Sequence, residues 1–262
     1  MPIENISKVE KIQKMNILVC ISSVPDTTSK INFSPDGKSF DKTGIQFVIN
    51  PHDEYSLSKA LQLKEKNGAQ ISVLSVGDAS CEPVLRKALA MGADVAMRVD
   101  TEPSDSLATA QEIARVVKEQ NFDLILAGKE SIDYNGGVVP ATVAALLEIP
   151  FANNCEGLDV QDNEAIAVVE NDDEVQHLKL QLPAVIAGQN GIVAENELKI
   201  PNMRGIMQAR SKKLEVIAPS ETTSNLKVEQ FTTPASRGAV KMIDANAIDE
   251  LVELLRKDTK LF

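Results

Sequence analysis

The stretch FDLILAGKESIDYNGGVVPATVAALL, Phe122–Leu147, decides the fold. Its first six residues are an apolar run of the length of a buried strand. Its last ten, from Val138, have the length and composition of a helix. Between them lies GKESIDYNGG, a polar loop ending in two adjacent glycines. Strand, glycine loop and helix form the unit from which parallel sheets are built. Free N–H groups at the start of such a helix, with its dipole behind them, suit a phosphate. The plainer alternative is a tight connection in which Gly136 and Gly137 only permit the turn. The loop contains neither G-x-x-x-x-G-K-[ST] nor G-x-G-x-x-G, so it is neither a Walker loop nor a dinucleotide fingerprint.

The same unit repeats upstream. Asn16–Ile21, Gln70–Val76 and Val95–Val99 read as buried strands. Asn50 is placed to cap a helix that begins with Pro51, carries Asp53 and Glu54 in its first turn and buries Leu57, Ala60 and Leu61, with Gly68 as its stop. A second helix opens at Ser80, Glu82 and Pro83 and ends at Gly92. A third is capped by Ser104 and turns Leu107, Ala110, Ile113, Ala114 and Val117 inward. Pro35-Asp36-Gly37 is a turn signal, which predicts a hairpin of Lys30–Phe33 with Gly44–Ile49. Downstream, Gly157–Val160, Ala165–Glu170 and Glu174–Gln181 read as antiparallel strands and Ala184–Ala187 as a further core strand. From Lys213 to Asp244 the pattern is irregular. A final amphipathic helix then aligns Ile248, Leu251, Val252 and Leu255.

These elements predict an α/β fold: a doubly wound, mostly parallel sheet, a small antiparallel addition and an extended C-terminal arm. Residues 1–14 are expected to be a flexible extension, 15–219 the α/β domain and 220–262 the arm with its helix. In such sheets ligands sit outside the carboxyl ends of the strands, where strand order reverses. That places a site near Cys20, Val76 and Ala127.

Composition narrows the function. The 262 residues include 27 Lys and Arg against 38 Asp and Glu, a net charge of −11. This balance opposes binding to nucleic acid or to anionic membranes. No apolar run is long enough to span a bilayer, so membrane insertion is not expected. Cys20, Cys81 and Cys155 stand far apart without a C-x-x-C pair, and there are two histidines, so no metal centre is expected. An odd cysteine count without a signal peptide fits a reducing cytoplasm. No G-x-S-x-G elbow supports a hydrolase triad. The aspartates read as caps and turn residues. One stretch is unusual. In Ile200–Val216, Met203, Ile206 and Met207 lie among Arg204, Arg210, Lys212 and Lys213. This is either a docking surface with a basic rim or a buried helix with a solvated basic end.

Taken in order, NILVCISSVPDT, VINPHDEYSLSKALQLKE, ISVLSVG with RKALAMGAD, FDLILAGKESIDYNGGVVP, LPAVIAGQNG, MRGIMQARSKK and TPASRGAVKM resemble the beta subunit of electron transfer flavoproteins, from Met15 to Phe262. The resemblance implies an adenine-nucleotide-binding type of sheet and a heterodimer with an alpha subunit that holds most of one FAD. It implies AMP as a structural ligand of this chain and no bond chemistry by it. Electrons would pass from flavin dehydrogenases, such as those acting on acyl-CoA, to a quinone oxidoreductase. The alternatives are a bifurcating form with a second FAD, or a free-standing stress-type nucleotide binder. Carried over by position, Cys20, Asn50, Val76 and Gly77 line the nucleotide pocket. Asp133 opens the phosphate loop, and Gly136, Gly137, Val138 and Val139 meet the phosphate. The family often places Asn, Gln or Thr across these last positions, so Gly-Gly-Val-Val removes side-chain donors. Met203, Arg204, Ile206 and Met207 correspond to the partner-docking loop, with Met203 as anchor. The loop Val24–Thr27 should approach the flavin.

Overall fold

A computed structural model describes residues 14–102, 104–161, 163–171, 174–222, 224, 226 and 228–259. The first thirteen residues, most of the expected extension, lie outside the described residues. The strands are β1 (Asn16–Cys20), β2 (Ser23–Pro25), β3 (Phe47–Ile49), β4 (Gln70–Val76), β5 (Val95–Val99), β6 (Leu124–Gly128), β7 (Phe151–Gln161), β8 (Glu164–Asn171), β9 (Glu174–Gln181), β10 (Ala184–Gly188) and β11 (Leu214–Ile217). The helices are α1 (Pro51–Asn67), α2 (Glu82–Met91), α3 (Ser106–Glu119), α4 (Val139–Leu147), α5 (Met203–Ala209) and α6 (Ile248–Thr259).

The described residues form one nine-stranded sheet in the order β11-β5-β4-β1-β6-β10-β7-β8-β9, with β2 and β3 paired separately. From β11 to β7 neighbours run parallel; β8 and β9 are antiparallel. Alternation along the strands feeds two cores. Ile17, Val19, Ile71, Val73, Leu124 and Leu126 face α1 and α2, packing with Leu57, Ala60, Leu85 and Leu89. Leu18, Leu74, Ile125 and Val185 face α3 and α4, packing with Ala110, Ile113, Val143 and Ala144. With both faces covered, the parallel strands are apolar throughout, as burial on two sides requires. The chain builds outward from β1 to β4 and β5, then returns to lay β6 on the other flank of β1. The topological switch therefore lies between β1 and β6.

Several local expectations give way. Gly44–Ile49 does not pair with Lys30–Phe33; β3 pairs antiparallel with β2, Ser23↔Ile49 to Pro25↔Phe47. The turn at Pro35 closes only an isolated bridge between Phe33 and Phe40. The antiparallel strand expected at Gly157 starts at Phe151. Its first part pairs parallel with β10 and its second part antiparallel with β8, the register shifting between Cys155 and Gly157. Residues after Lys213 are not all irregular, since β11 adds to β5. The α3 cap is Asp105, whose Oδ1 accepts from the Ala108 N–H at 2.7 Å, rather than Ser104. Leu107 is exposed instead of inward.

The chain divides into two compact units: residues up to Ile31 with 42–228, and 32–41 with the segment from Glu229. In the second, Phe33 stacks on Phe231 with ring centroids 5.0 Å apart, and the Phe231 N–H donates to the Gly37 carbonyl at 2.7 Å. Helix α6 belongs to this unit, with Ile248 and Leu251 exposed.

Candidate functional site

The carboxyl ends of β1, β4 and β6 form the rim at the switch point. Helix α1 organises it through three polar side chains, Asn50, Asp53 and Ser56, all buried. Asp53 Oδ2 accepts the Ser22 N–H at 2.7 Å. Its Oδ1 accepts the Gly128 N–H at 2.8 Å. One carboxylate thus ties the end of β1 to the end of β6. Ser56 Oγ donates to the Ala127 carbonyl at 2.8 Å. Asn50 does not cap α1 with its side chain. Its Nδ2 donates to the Glu130 carbonyl at 2.9 Å, and its Oδ1 accepts from the Ile132 N–H at 3.2 Å. The amide therefore fixes the start of the loop after β6. Gly128 is required here: a Cβ would lie 2.5 Å from Asp53 Oδ1 and 2.9 Å from the Asp53 nitrogen.

Burial pushes the Asp53 carboxyl up to about 6, against the opposing pull of its N–H donors. Desolvation pushes the Cys20 thiol up to about 12, with the Asp53 charge adding to it. Cys20 is therefore a neutral thiol at pH 7, not a nucleophile. His52 is lowered by burial and then by Lys129, so its ring is neutral. Its buried Nδ1 has no hydrogen-bond partner.

Cys20 ends β1, Val76 ends β4 and Val139 begins α4; all three pack against the same apolar core on the α3/α4 face. Gly77 follows Val76 and is pressed against Cys81 Sγ, leaving no space for a side chain. Asp133 is exposed and accepts from the Tyr134 N–H at 3.0 Å. Gly137 takes φ +62 and turns back toward the Lys129 carbonyl. Among the described residues, the N–H groups of Gly136, Gly137 and Val138 have no acceptor. Those donors, followed by the start of α4, suit a phosphate, and the unpartnered His52 Nδ1 leaves one polar group free for a ligand. The residues present fit the phosphate of a nucleotide.

The rim residues missed in the sequence are Asp53, Ser56 and His52. Asn50, Asp53 and Ser56 recur every three residues on the helix face that carries Leu57 and Ala60. Polar residues continuing an apolar stripe toward a helix start were the available signal.

Met203, Arg204, Ile206 and Met207 lie apart from the rim, on α5, which packs against α2. Met203 is 76% exposed, Met207 70% and Ile206 43%. The stretch is thus an exposed apolar face and not a buried helix. In the loop expected to approach a flavin, β2 fixes Ser23–Pro25 by pairing with β3. Asp26 Oδ1 accepts from the Thr28 N–H at 2.9 Å, leaving Thr27 exposed.

Among the described residues no cluster of His, Cys, Asp or Glu is arranged to hold a metal ion. No helix among them is long and apolar enough to cross a membrane.

Fold and rim together define a doubly wound, mostly parallel α/β protein whose candidate site lies at the switch point. A family profile described as "Electron transfer flavoprotein domain" matches residues 38–222. The chain is similar to the electron transfer flavoprotein subunit beta of Bacillus subtilis, 34% identical over 94% of this chain and 100% of that one. Its likeness to the same subunit of Syntrophomonas wolfei is 34%, over 94% of this chain and 98% of that one. The human subunit is 29% identical, over 93% and 98%. The chain belongs to the electron transfer flavoprotein family, as a beta-subunit sequence.

Proposed function

We propose that this chain is the beta half of a cytoplasmic, heterodimeric electron transfer flavoprotein. It takes electrons from flavin dehydrogenases, such as those acting on acyl-CoA, and delivers them to a quinone oxidoreductase. The alpha subunit holds most of the FAD, and this chain covers it and binds AMP in the crevice. One observation carries the reading: a rim where Asn50, Asp53 and Ser56 all grip main chain, in a chain that matches beta subunits over nearly its whole length.

An FAD, when bound, supplies reversible electron uptake. This chain's residues do the rest. Gly136, Gly137 and Val138 offer main-chain donors to the nucleotide phosphate, and His52 offers a neutral ring nitrogen. Val138 and Val139 contribute no side-chain donors, and Pro140 has no N–H, so affinity rests on the main chain. Each missing neutral hydrogen bond costs on the order of 1 kcal/mol. The Val24–Thr27 loop shields the flavin edge. The arm and α6 pack on the alpha subunit, the exposed face of Ile248 and Leu251 being its contact.

Co-expression with an alpha subunit tests this. A yellow heterodimer releasing one FAD and one AMP, identified by mass spectrometry, is expected. Two FAD and no AMP would move the protein to the bifurcating form. A stable colourless monomer with an empty crevice would overturn the reading.

A further inference from the structure

Helix α5 has seven residues, Met203–Ala209. An isolated helix shorter than about 12 residues is marginal in water. Its order must therefore come from its surroundings, and α2 supplies most of it through reciprocal capping. Arg86 Nη1, from the middle of α2, donates to the Ala209 and Lys212 carbonyls, both at 2.8 Å, where α5 ends. Lys212 Nζ, just beyond α5, donates back to the Leu89 carbonyl of α2 at 3.0 Å and to the Ala93 carbonyl just past its end at 2.6 Å. Cations at both carboxyl ends suit the helix dipoles as well as the orphan carbonyls.

Two more contacts fix the other end. Asn202 Oδ1 accepts the Gly205 N–H at 2.8 Å, capping α5. Gly205 sits directly on the Ala90 carbonyl, so closely that a Cβ there would overlap the oxygen. Ala209 is buried. The buried side of α5 is thus made of main chain, a glycine and an alanine. The long apolar side chains are left facing out.

We propose that Arg86, Gly205 and Lys212 are positioning residues for partner docking, holding α5 in the one orientation that presents Met203, Ile206 and Met207 to a dehydrogenase. The inference rests on the proposed transfer from flavin dehydrogenases, with α5 as the docking element that the family resemblance implies. A preorganised helix spares the complex the entropy of ordering it on encounter. Loosening the mount should therefore weaken recognition without touching the redox step.

The test uses the FAD-loaded heterodimer as electron acceptor and, as donor, an acyl-CoA dehydrogenase kept reduced by excess acyl-CoA and shown to reduce the wild-type flavin. Arg86→Met, Lys212→Met and Gly205→Ala are each expected to raise KM for the heterodimer about tenfold, about 1.4 kcal/mol. The kcat, the FAD content and the rate of flavin reduction by dithionite should stay within twofold. Hydrogen exchange at Ile206 and Met207 should quicken in step with KM. Lys212→Arg, which keeps a donor for the carbonyls, should recover most of the loss. Gly205→Ala alters no charge, so a matching rise in KM separates mounting from simple electrostatics. An unchanged KM with faster exchange in α5 would overturn the proposal, as would a parallel fall of kcat, KM and FAD content. Met203→Ala separates the layers: if it leaves KM unchanged, the docking role itself fails. If it raises KM while the three mount variants do not, only the mount fails.

Discussion

The crevice and the docking helix are both held by side chains that satisfy main-chain groups, yet they face opposite ways. At the crevice, Asn50, Asp53 and Ser56 are buried and bind the ends of β1 and β6 and the loop between β6 and α4. Around α5, Arg86 of α2 and Lys212 just past α5 work from half-buried positions, and Met203, Ile206 and Met207 stand in solvent. The difference teaches where each function is stored. The crevice shares its hydrogen bonds with the sheet, so its shape and the stability of the fold are the same quantity. The exposed face of α5 lies outside both cores, so the docking role proposed for it is separable from folding. Substitutions that break this separation would break the comparison.

The largest effect is expected at Asp53. Asp53→Ala leaves the Ser22 and Gly128 N–H groups without an acceptor, and each unsatisfied buried donor costs about 1–3 kcal/mol. A loss of about 2–5 kcal/mol should appear as a lower urea midpoint with unchanged slope. Gly128→Ala should act in the same direction by forcing the same carboxylate aside. If Asp53→Ala cost no more than a surface substitution, the crevice would not be built into the sheet.

Next comes the pH dependence of the same group. The folded Asp53 carboxyl is raised from 3.8 to about 6, so the native state holds a proton that the unfolded chain has released. Its contribution is fully present below pH 3.8 and is lost as pH rises through about 6. The span corresponds to about 3 kcal/mol. Asp53→Asn should flatten the stability profile between pH 4 and 6, relative to wild type, whatever its constant offset. A parallel profile would mean that the carboxyl does not titrate in that window.

Asn50→Ala should cost less, about 1–2 kcal/mol, because its partners Glu130 and Ile132 sit in a half-buried loop. Here the more telling readout is the nucleotide. With the loop released, AMP retained through gel filtration should fall about tenfold, as 1.4 kcal/mol requires, while transfer from the dehydrogenase at saturating AMP stays normal. Equal loss of both would join the two regions that the structure keeps apart.

The sheet was legible because both of its faces are covered. Runs such as NILVC and LILAG admit few other readings, and the strand-to-helix order imposes parallel pairing. Pairing partners were less legible. Nothing local distinguishes Ser23–Pro25 from Lys30–Phe33 as the mate of Phe47–Ile49, since the choice is made by how β1 leads into the rim. β7 was cut short because one strand changes partners midway, parallel then antiparallel, and its apolar pattern changes with it. At the rim, positions could be carried over, but the partners of Asp53 are main-chain groups 31 and 75 residues away. A sequence names such a carboxylate as a first-turn anion and says nothing of the N–H groups it will meet.

The smallest effect on stability is expected at the anchor. Met203 is 76% exposed, so truncating it removes little buried area. Met203→Ala should change the unfolding free energy by no more than about 0.5 kcal/mol. Flavin absorbance and AMP content should match wild type. A measurable destabilisation would mean that the Met203 side chain packs on its own protein when the partner is absent. The docking face would then be partly closed in the free carrier, and opening it would become a step in every encounter. A stability-neutral Met203→Ala with a raised KM keeps the separation intact, because an anchor that does nothing for its own fold is free to be shaped by the pocket that receives it.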